Sequence, residues 1–217
     1  ILFLSLIPRA LARGYSFYLL LESQIDKIFK VFYFLFLMKH FVYFSAKAAT
    51  SGKALSGGDL MKAGRMDIAI HSIIQGLFLS HDFRKDVKFH LVFYGMPDPP
   101  KHIEIQVKDG LDISKKDVGT LIKKTLYKYR QGEKHEVFPG VFIEKKSFLK
   151  VIEELQEQGN EVFILDKKGE DIREADIPEN CVFVLGDQEG LPKQEMKRLK
   201  KEVTSISIGP KMYFASQ

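Results

Sequence analysis

The chain has 217 residues, 45% of them hydrophobic and 28% charged, with a net charge of +5. That length suffices for one large domain or two small ones with a real core, and the mild excess of base permits a polyanionic partner without demanding one. The single cysteine, Cys181, rules out an internal disulfide and fits a reducing compartment, while the six histidines show no H-x-x-x-H spacing and no C-x-x-C motif exists, which argues against zinc.

Residues 1–37 are rich in Leu, Phe and Tyr, but Arg9, Arg13, Glu22, Asp26, Lys27 and Lys30 interrupt them. No apolar stretch reaches the ~18 residues of a membrane span. No small-residue cleavage site follows the apolar run, so a signal peptide fits poorly. The expected organised protein therefore runs from Met38 to Gln217, with 1–37 an extraneous or atypical extension; a helix on a membrane surface is the other reading.

From Met38 the pattern is regular. Lys39 to Ser45 reads as a strand, followed by a Gly/Ser-rich loop at Ser51 to Asp59. Met66, Ile70, Ile73, Ile74, Leu77 and Phe78 recur at helical spacing, which predicts an amphipathic helix within Gly64 to His81. Val87 to Tyr94 is a strand entering the turn-forming loop G-M-P-D-P-P, and Ile103, Ile105 and Val107 alternate as a further strand. Ser114 with Asp117 forms a loose capping box ahead of a helix faced by Val118, Leu121, Ile122, Thr125, Leu126 and Tyr129. Phe148, Val151, Ile152 and Leu155 mark a third helix, stopped by Gly159. Glu161 to Asp166 and Cys181 to Gly186 are nearly continuous apolar runs, as expected of parallel strands buried on both faces, so Cys181 reads as a core residue. Pro192 opens a fourth helix through Met196 and Leu199, Val203 to Ile208 is the last strand, and Met212 to Phe214 begin another apolar helix. Strands alternating with helices predict an α/β architecture around a mostly parallel sheet.

In such sheets ligands bind beyond the carboxyl ends of the strands. Three ends stand out: Leu165-Asp166, Leu185-Gly186 and Ile208-Gly209-Pro210. The chain has neither G-x-x-x-x-G-K-[ST] nor a G-x-G-x-x-G after its first strand, which argues against a P-loop nucleotidase and a dinucleotide-binding unit. By itself, G-D-Q-E-G is an ordinary turn.

Five stretches carry a resemblance: G-R-M-D-I from Gly64, F-L-S-H-D-F-R-K-D-V from Phe78, Y-G-M-P-D-P-P from Tyr94, V-L-G-D-Q-E-G from Val184 and S-I-G-P-K-M-Y-F-A-S-Q from Ser207. Through them, residues 38–217 resemble the archaeal tRNA pseudouridine-54 N1-methyltransferases of the SPOUT class. The resemblance implies a mostly parallel sheet flanked by helices, with a C-terminal trefoil knot. It also implies a further knot helix past Ala215-Ser216-Gln217, cut short here.

The implied activity is transfer of the methyl of S-adenosylmethionine to N1 of pseudouridine at position 54 of the tRNA T loop. By motif, Leu165, Gly186, Ile208, Gly209, Pro210, Lys211, Met212 and Tyr213 would hold the cofactor, mostly through backbone groups. Arg65 and Asp67 lie in an R-x-D-I also seen in the similar ribosomal-RNA pseudouridine N1-methyltransferases. They are the expected catalytic pair, Asp67 accepting from an N–H of the target base and Arg65 holding its phosphate or carbonyl; the alternative is a helix-start ion pair favoured by the macrodipole. Arg84 and Lys85 are expected phosphate contacts, and His81 with Asp82 a helix-end pair. Lys115, Lys116, Lys123, Lys124 and Lys128 form a basic face that is either RNA-binding or simply solvated. A homodimer, no metal, no membrane and a cytoplasmic location complete what the resemblance implies. The same chemistry on ribosomal RNA and a catalytically silent RNA-binding protein are the rival readings.

Overall fold

The computed structural model describes residues 38–199 and 203–209. Expectations for residues 1–37 and 210–217, Pro210, Lys211, Met212 and Tyr213 among them, lie outside that description. The described residues all belong to the unit Met38–Gln217.

The elements follow as β1 (Lys39–Ser45), a 3-10 turn (Gly52–Leu55), α1 (Met66–Leu77), β2 (Val87–Phe93), β3 (Lys101–Gln106), α2 (Val118–Tyr127), β4 (His135–Phe138), β5 (Val141–Glu144), α3 (Phe148–Glu157), β6 (Glu161–Asp171), β7 (Cys181–Gly186), α4 (Lys193–Leu199) and β8 (Thr204–Ser207). The strands form one eight-stranded sheet in the order β4-β5-β3-β2-β1-β7-β6-β8. The run β2-β1-β7-β6-β8 is parallel throughout. Beyond β2 the ladder turns antiparallel through β3, β5 and β4. Four of the seven pairings are parallel, so the sheet is mostly parallel as expected, with an antiparallel flank that was not. The difference is the β4–β5 hairpin, turned at Pro139-Gly140, together with β3 returning beside β2.

Alternating side chains of β1 serve two cores. Tyr43 joins Ile68, Ile73, Leu91 and Ile122 under α1 and α2. Val42 and Phe44 join Val92, Phe148, Ile152 and Val184 under α3 and α4. Each fully buried Val, Leu, Ile or Phe contributes roughly 1.5–3 kcal/mol, so strands buried on both faces dominate stability.

Local chemistry fixes the helix ends. Ser147 Oγ accepts from the Lys150 N–H at 3.4 Å, and the Phe148 N–H donates to Tyr94 Oη at 3.0 Å, so α3 starts against the end of β2. It stops in a Schellman motif, with Asn160 N–H on the Leu155 carbonyl, Gly159 N–H on the Gln156 carbonyl and Gly159 at φ 85°. The Ser114–Asp117 pair exists, the Asp117 carboxylate accepting from the Ser114 N–H and hydroxyl, but it closes the turn before α2 rather than the helix itself.

On the α3 face a file of imidazoles crosses the sheet. His40 Nδ1 lies 2.9 Å from His90 Nε2, His90 Nδ1 lies 3.0 Å from His102 Nε2, and His102 Nδ1 lies 2.9 Å from Glu144 Oε1. The rings stack at 5.2 Å, and all three are at most 4% exposed. The Glu144 carboxylate is an acceptor, so every imidazole donates from Nδ1 toward it. Burial pushes the Glu144 carboxyl up, but hydrogen bonds from His102 and Lys146 outweigh that and hold it at about 2. Burial, reinforced by Lys88, lowers His40 to about 4. His90 is lowered as well, first by burial and then by its histidine neighbours.

Candidate active site

The parallel strands end on one edge. Leu165 of β6 pairs with Ile206 of β8, and Ile164 pairs with Val184 of β7, which sets Leu165 level with Leu185 and one step from Gly186. Gly209 follows three residues after Ile206. The structure therefore brings Leu165 beside Gly186 at the end of β7 and near Ile208-Gly209 just past β8, but β6 does not end at Leu165 as expected: it runs on to Asp171, with Leu165 at the point where its pairing with β7 stops and its register with β8 shifts. Leu165 is half-buried and Ile208 is 49% exposed. Ser207 Oγ accepts from the Gly209 N–H at 3.2 Å, fixing the exit of β8.

The turn after β7 is organised by Asp187, a residue the sequence marked only as part of a turn. Its N–H donates to the Phe44 carbonyl at 3.0 Å, extending the β1–β7 ladder, and its carbonyl accepts from Gly190 N–H at 2.9 Å. Its Oδ2 accepts from Ser45 Oγ at 2.7 Å and its Oδ1 from the Glu189 N–H at 2.8 Å. Ser45 Oγ in turn accepts from the Ala48 N–H at 3.0 Å. One buried carboxylate thus ties the ends of β1 and β7 together, and Lys47 pairs with Glu189 across them. Gly186 has no room for a side chain: a Cβ there would lie 2.7 Å from the Gly190 carbonyl carbon. Gln188 Oε1, in the same turn, is buried and has no partner among the described residues. That orphan acceptor suits a ligand carrying N–H or O–H donors, as an adenosine moiety does.

Arg65 and Asp67 open α1, whose first turn begins where the loop after β1 closes through Ala49 N–H on the Ala63 carbonyl at 3.1 Å. Arg65 sits in the left-handed region at φ 61°, the one non-glycine residue to do so among those described. Such strain persists only where the surroundings enforce it, and it is frequent at functional sites. The guanidinium grips Asp67 through Nε at 3.0 Å and Nη2 at 3.0 Å, with side chains 37% and 29% exposed. Hydrogen bonds from Arg65 hold the Asp67 carboxyl below the usual range against the opposing effect of burial. It is therefore an ionised acceptor at neutral pH.

Gly64, just before Arg65, stands so close to the end of β1 that a Cβ there would lie 1.8 Å from the Lys47 carbonyl oxygen, and Lys47 pairs with Glu189 of the turn after β7. Tyr43 of β1 is fully buried. Burial pushes its phenol up, followed by the negative charges of Asp187 and then Asp67. Both clusters therefore stand at the carboxyl edge.

Arg84 and Lys85 take other places. Arg84 Nη1 donates to the Gln75 carbonyl at 3.0 Å, capping the end of α1, and exposed Lys85 pairs with Asp109 at 3.4 Å. Asp82 Oδ1 accepts from the Phe83 N–H at 2.8 Å, a turn-closing role. Cys181 is a buried core residue. Among the described residues no His/Cys/Asp/Glu group could hold a metal ion and no helix is long and apolar enough to cross a membrane.

A protein-family model described as "Putative SAM-dependent RNA methyltransferase" matches residues 38–217. The chain is similar to the tRNA (pseudouridine(54)-N(1))-methyltransferase of Methanococcoides burtonii, 39% identical over 178 residues that cover 80% of this chain and 88% of that protein. It is also similar to a "Putative pseudouridine methyltransferase" of Vibrio parahaemolyticus, 34% identical over 187 residues that cover 83% of this chain and 93% of that one. Among solved structures, the fold resembles that of Archaeoglobus fulgidus Nep1 bound to S-adenosylhomocysteine, with a TM-score of 0.52, 13% identity, and coverage of 82% of this chain and 92% of that chain.

Proposed function

The chain belongs to the S-adenosylmethionine-dependent RNA methyltransferase family that its residues 38–217 match, and from that membership we propose that it methylates N1 of pseudouridine 54 in tRNA. One observation carries the proposal for the site: a strained Arg65 clamped on an ionised Asp67 stands at the same sheet edge as Leu165, Gly186 and Gly209. S-adenosylmethionine, when bound, supplies an electrophilic sulfonium methyl. The residues that would hold it are Leu165, Gly186, Ile208 and Gly209 through backbone groups, continuing into Pro210, Lys211, Met212 and Tyr213. Orphaned Gln188 Oε1 in the turn after β7 fits the donors of its adenosine.

Pseudouridine is joined to ribose through carbon, so its N1 carries a proton. The protein's task is to hold that N1 in line for methyl transfer with water excluded. Asp67, ionised and partly buried, accepts the hydrogen bond of a base N–H, while Arg65 retains donors for a carbonyl or phosphate. As the new N–CH3 bond forms and the bond from methyl to sulfur breaks, N1 gives up its proton along its hydrogen bond to Asp67, which passes it to solvent when the site reopens. Of the two expected phosphate contacts, exposed Lys85 would serve by exchanging Asp109 for a phosphate, while Arg84 stays on the Gln75 carbonyl at the end of α1.

The pairing around β8 supports a knotted chain. Ile206 is partnered by both Leu165 and Glu170, and Gly169 lies so close to β8 that a Cβ would stand 2.5 Å from the Ile206 nitrogen. We read this as the second half of β6, past its register shift, wrapping the strand in the SPOUT-type crossing. We also propose that two copies pair as in that class, and that the enzyme works in the cytoplasm with its tRNA.

Nucleoside mass mapping tests the function. tRNA carrying pseudouridine 54, incubated with the protein and S-adenosylmethionine, is expected to gain one methyl at that nucleoside. Methylation confined to ribosomal RNA overturns the tRNA assignment, and RNA binding without methyl transfer overturns the enzymatic one.

A further inference from the structure

We propose a second RNA subsite, separate from Arg65–Asp67, in which a cavity at the end of α2 takes one unstacked nucleotide neighbouring the target. The proposal rests on the reading of the chain as an RNA methyltransferase. The cavity measures about 440 Å³ and is walled by Tyr127, Lys128, Tyr129 and Arg130 from the end of α2 and by His135 and Glu136 of β4.

Its walls have the chemistry of a nucleotide. The Tyr127 side chain is 55% exposed, an open π-face of the kind on which any base stacks. Tyr129 forms the inner wall, its ring covered by Lys101 and its Oη buried and without a partner among the described residues. Lys128 Nζ lies 4.7 Å from the Phe138 ring centre. The His135 imidazole Nε2 lies 2.8 Å from the Lys128 carbonyl, which joins the two sides of the cavity. Glu136, the one acid in the wall, is turned away, its carboxylate accepting from the Gly140 N–H at 2.7 Å.

Charge points the same way. Elsewhere the cations are largely spoken for: Lys88 and Lys134 by Glu104, Lys146 by Glu144 and Glu154, Lys145 and Lys101 by Asp98. Residues 115–130 hold six cations and a single acid, Asp117, which Ser114 occupies. Asp117 is near enough to Lys116 and Lys124 to feel their charge, and Lys128 lies over the Phe138 ring, which still leaves a net excess of positive charge for phosphates.

The cavity also adjoins the active edge. Tyr127 Oη meets Ser56 Oγ at 3.0 Å, on the loop that leads from β1 to Arg65. Thr50 of that loop accepts from the Asp98 N–H at 2.9 Å. Asp98 Oδ2 accepts from Lys101 Nζ at 2.6 Å, and Lys101 stands 3.9 Å over the Tyr129 ring. These contacts tie the cavity walls to the loop between β1 and α1, whose far end carries Arg65.

The probe is a T-arm hairpin RNA with 2-aminopurine placed at each loop position in turn. Quenching at one position beside the target is expected with the full chain, lost in Tyr127→Leu and kept in Tyr127→Phe. Arg130→Gln, at an exposed site with no packing role, is expected to weaken hairpin binding about fivefold to tenfold and to reduce the salt slope by about one. The affinity for S-adenosylmethionine stays unmoved in both. Hairpin binding by Tyr127→Leu and Arg130→Gln at full strength, while the unaltered protein binds and methylates, overturns the subsite alone. Failure of the unaltered protein to bind any hairpin overturns the RNA reading beneath it. Displacement of the quench by polyglutamate but not by unlabelled hairpin would make the cavity a peptide site and overturn the proposal.

Discussion

Arg65 and Asp67 are two residues apart in sequence, and their side chains meet because Arg65 accepts a left-handed backbone. An arginine there is unfavourable by roughly 1–2 kcal/mol, which a structure tolerates when the side chain has a directed task. Two roles separate cleanly in a variant. If Asp67 were only a helix-start charge, Asp67→Asn would leave turnover alone, because the side chain keeps its shape. As an acceptor for the target base, the same change is expected to lower the single-turnover methyl-transfer rate about a hundredfold. S-adenosylmethionine affinity by calorimetry should stay level, since the proposed role of Asp67 is toward the base and not the methyl donor. Asp187 is the contrasting carboxylate: both its oxygens are consumed by Ser45 and the Glu189 N–H, so it organises the edge without facing a substrate.

The imidazole file shows what secondary-structure elements do that single residues cannot. His40, His90 and His102 belong to three strands, and only the register of β1, β2 and β3 makes them a chain ending on Glu144. Its consequence is a pH dependence with a definite sign. His40 titrates at about 4 in the folded protein and near its ordinary 6.5 in the unfolded chain, and His90 is shifted the same way. Between those values the unfolded chain binds more protons, so stability falls as pH drops below about 6.5. Each such histidine contributes up to about 1.4 kcal/mol per pH unit. Glu144 acts in the same direction at lower pH: its ordinary 4.5 is held at about 2, so its stabilisation is lost as pH falls from the first value through the second. Urea unfolding at pH 7, 6 and 5 should show this slope, and His40→Leu should roughly halve it whatever its own cost. An unchanged slope would remove the file as its source. None of this was readable in the sequence, where the bonded histidines stand 50 and 12 residues apart. The β4–β5 hairpin was missed for a related reason: H-E-V-F lacks clear alternation, and Pro139-Gly140 alone carried the signal. By contrast, C-V-F-V-L and the helical spacing of Phe148 to Leu155 were legible because burial there is continuous or strictly periodic.

Across the molecule the sheet divides its labour. On the proposed reading, the parallel half ends in backbone turns that would hold the methyl donor, and the antiparallel half with α2 carries the cations that would meet RNA. The carboxyl edge was expected from the order of elements, since parallel strands must end together. The lower end of β6 was not, because Lys167 to Asp171 are polar and pair with β8 through backbone alone. Nor was buried Asp187, whose partner Ser45 lies 142 residues away. A division of this kind has a measurable consequence. S-adenosylhomocysteine at about a hundredfold excess over its dissociation constant should stabilise the protein by about 2.7 kcal/mol, a rise of roughly 5–10 °C in the thermal midpoint. The gain in amide protection should concentrate at residues 165–171, 186–190 and 204–209, with little at the β4–β5 hairpin. Gly186→Ala should abolish most of it, because a Cβ there must push apart the turn that closes on Gly190. Protection appearing first at the hairpin would move the donor to the antiparallel half, and the assignment of the two halves would have to be exchanged.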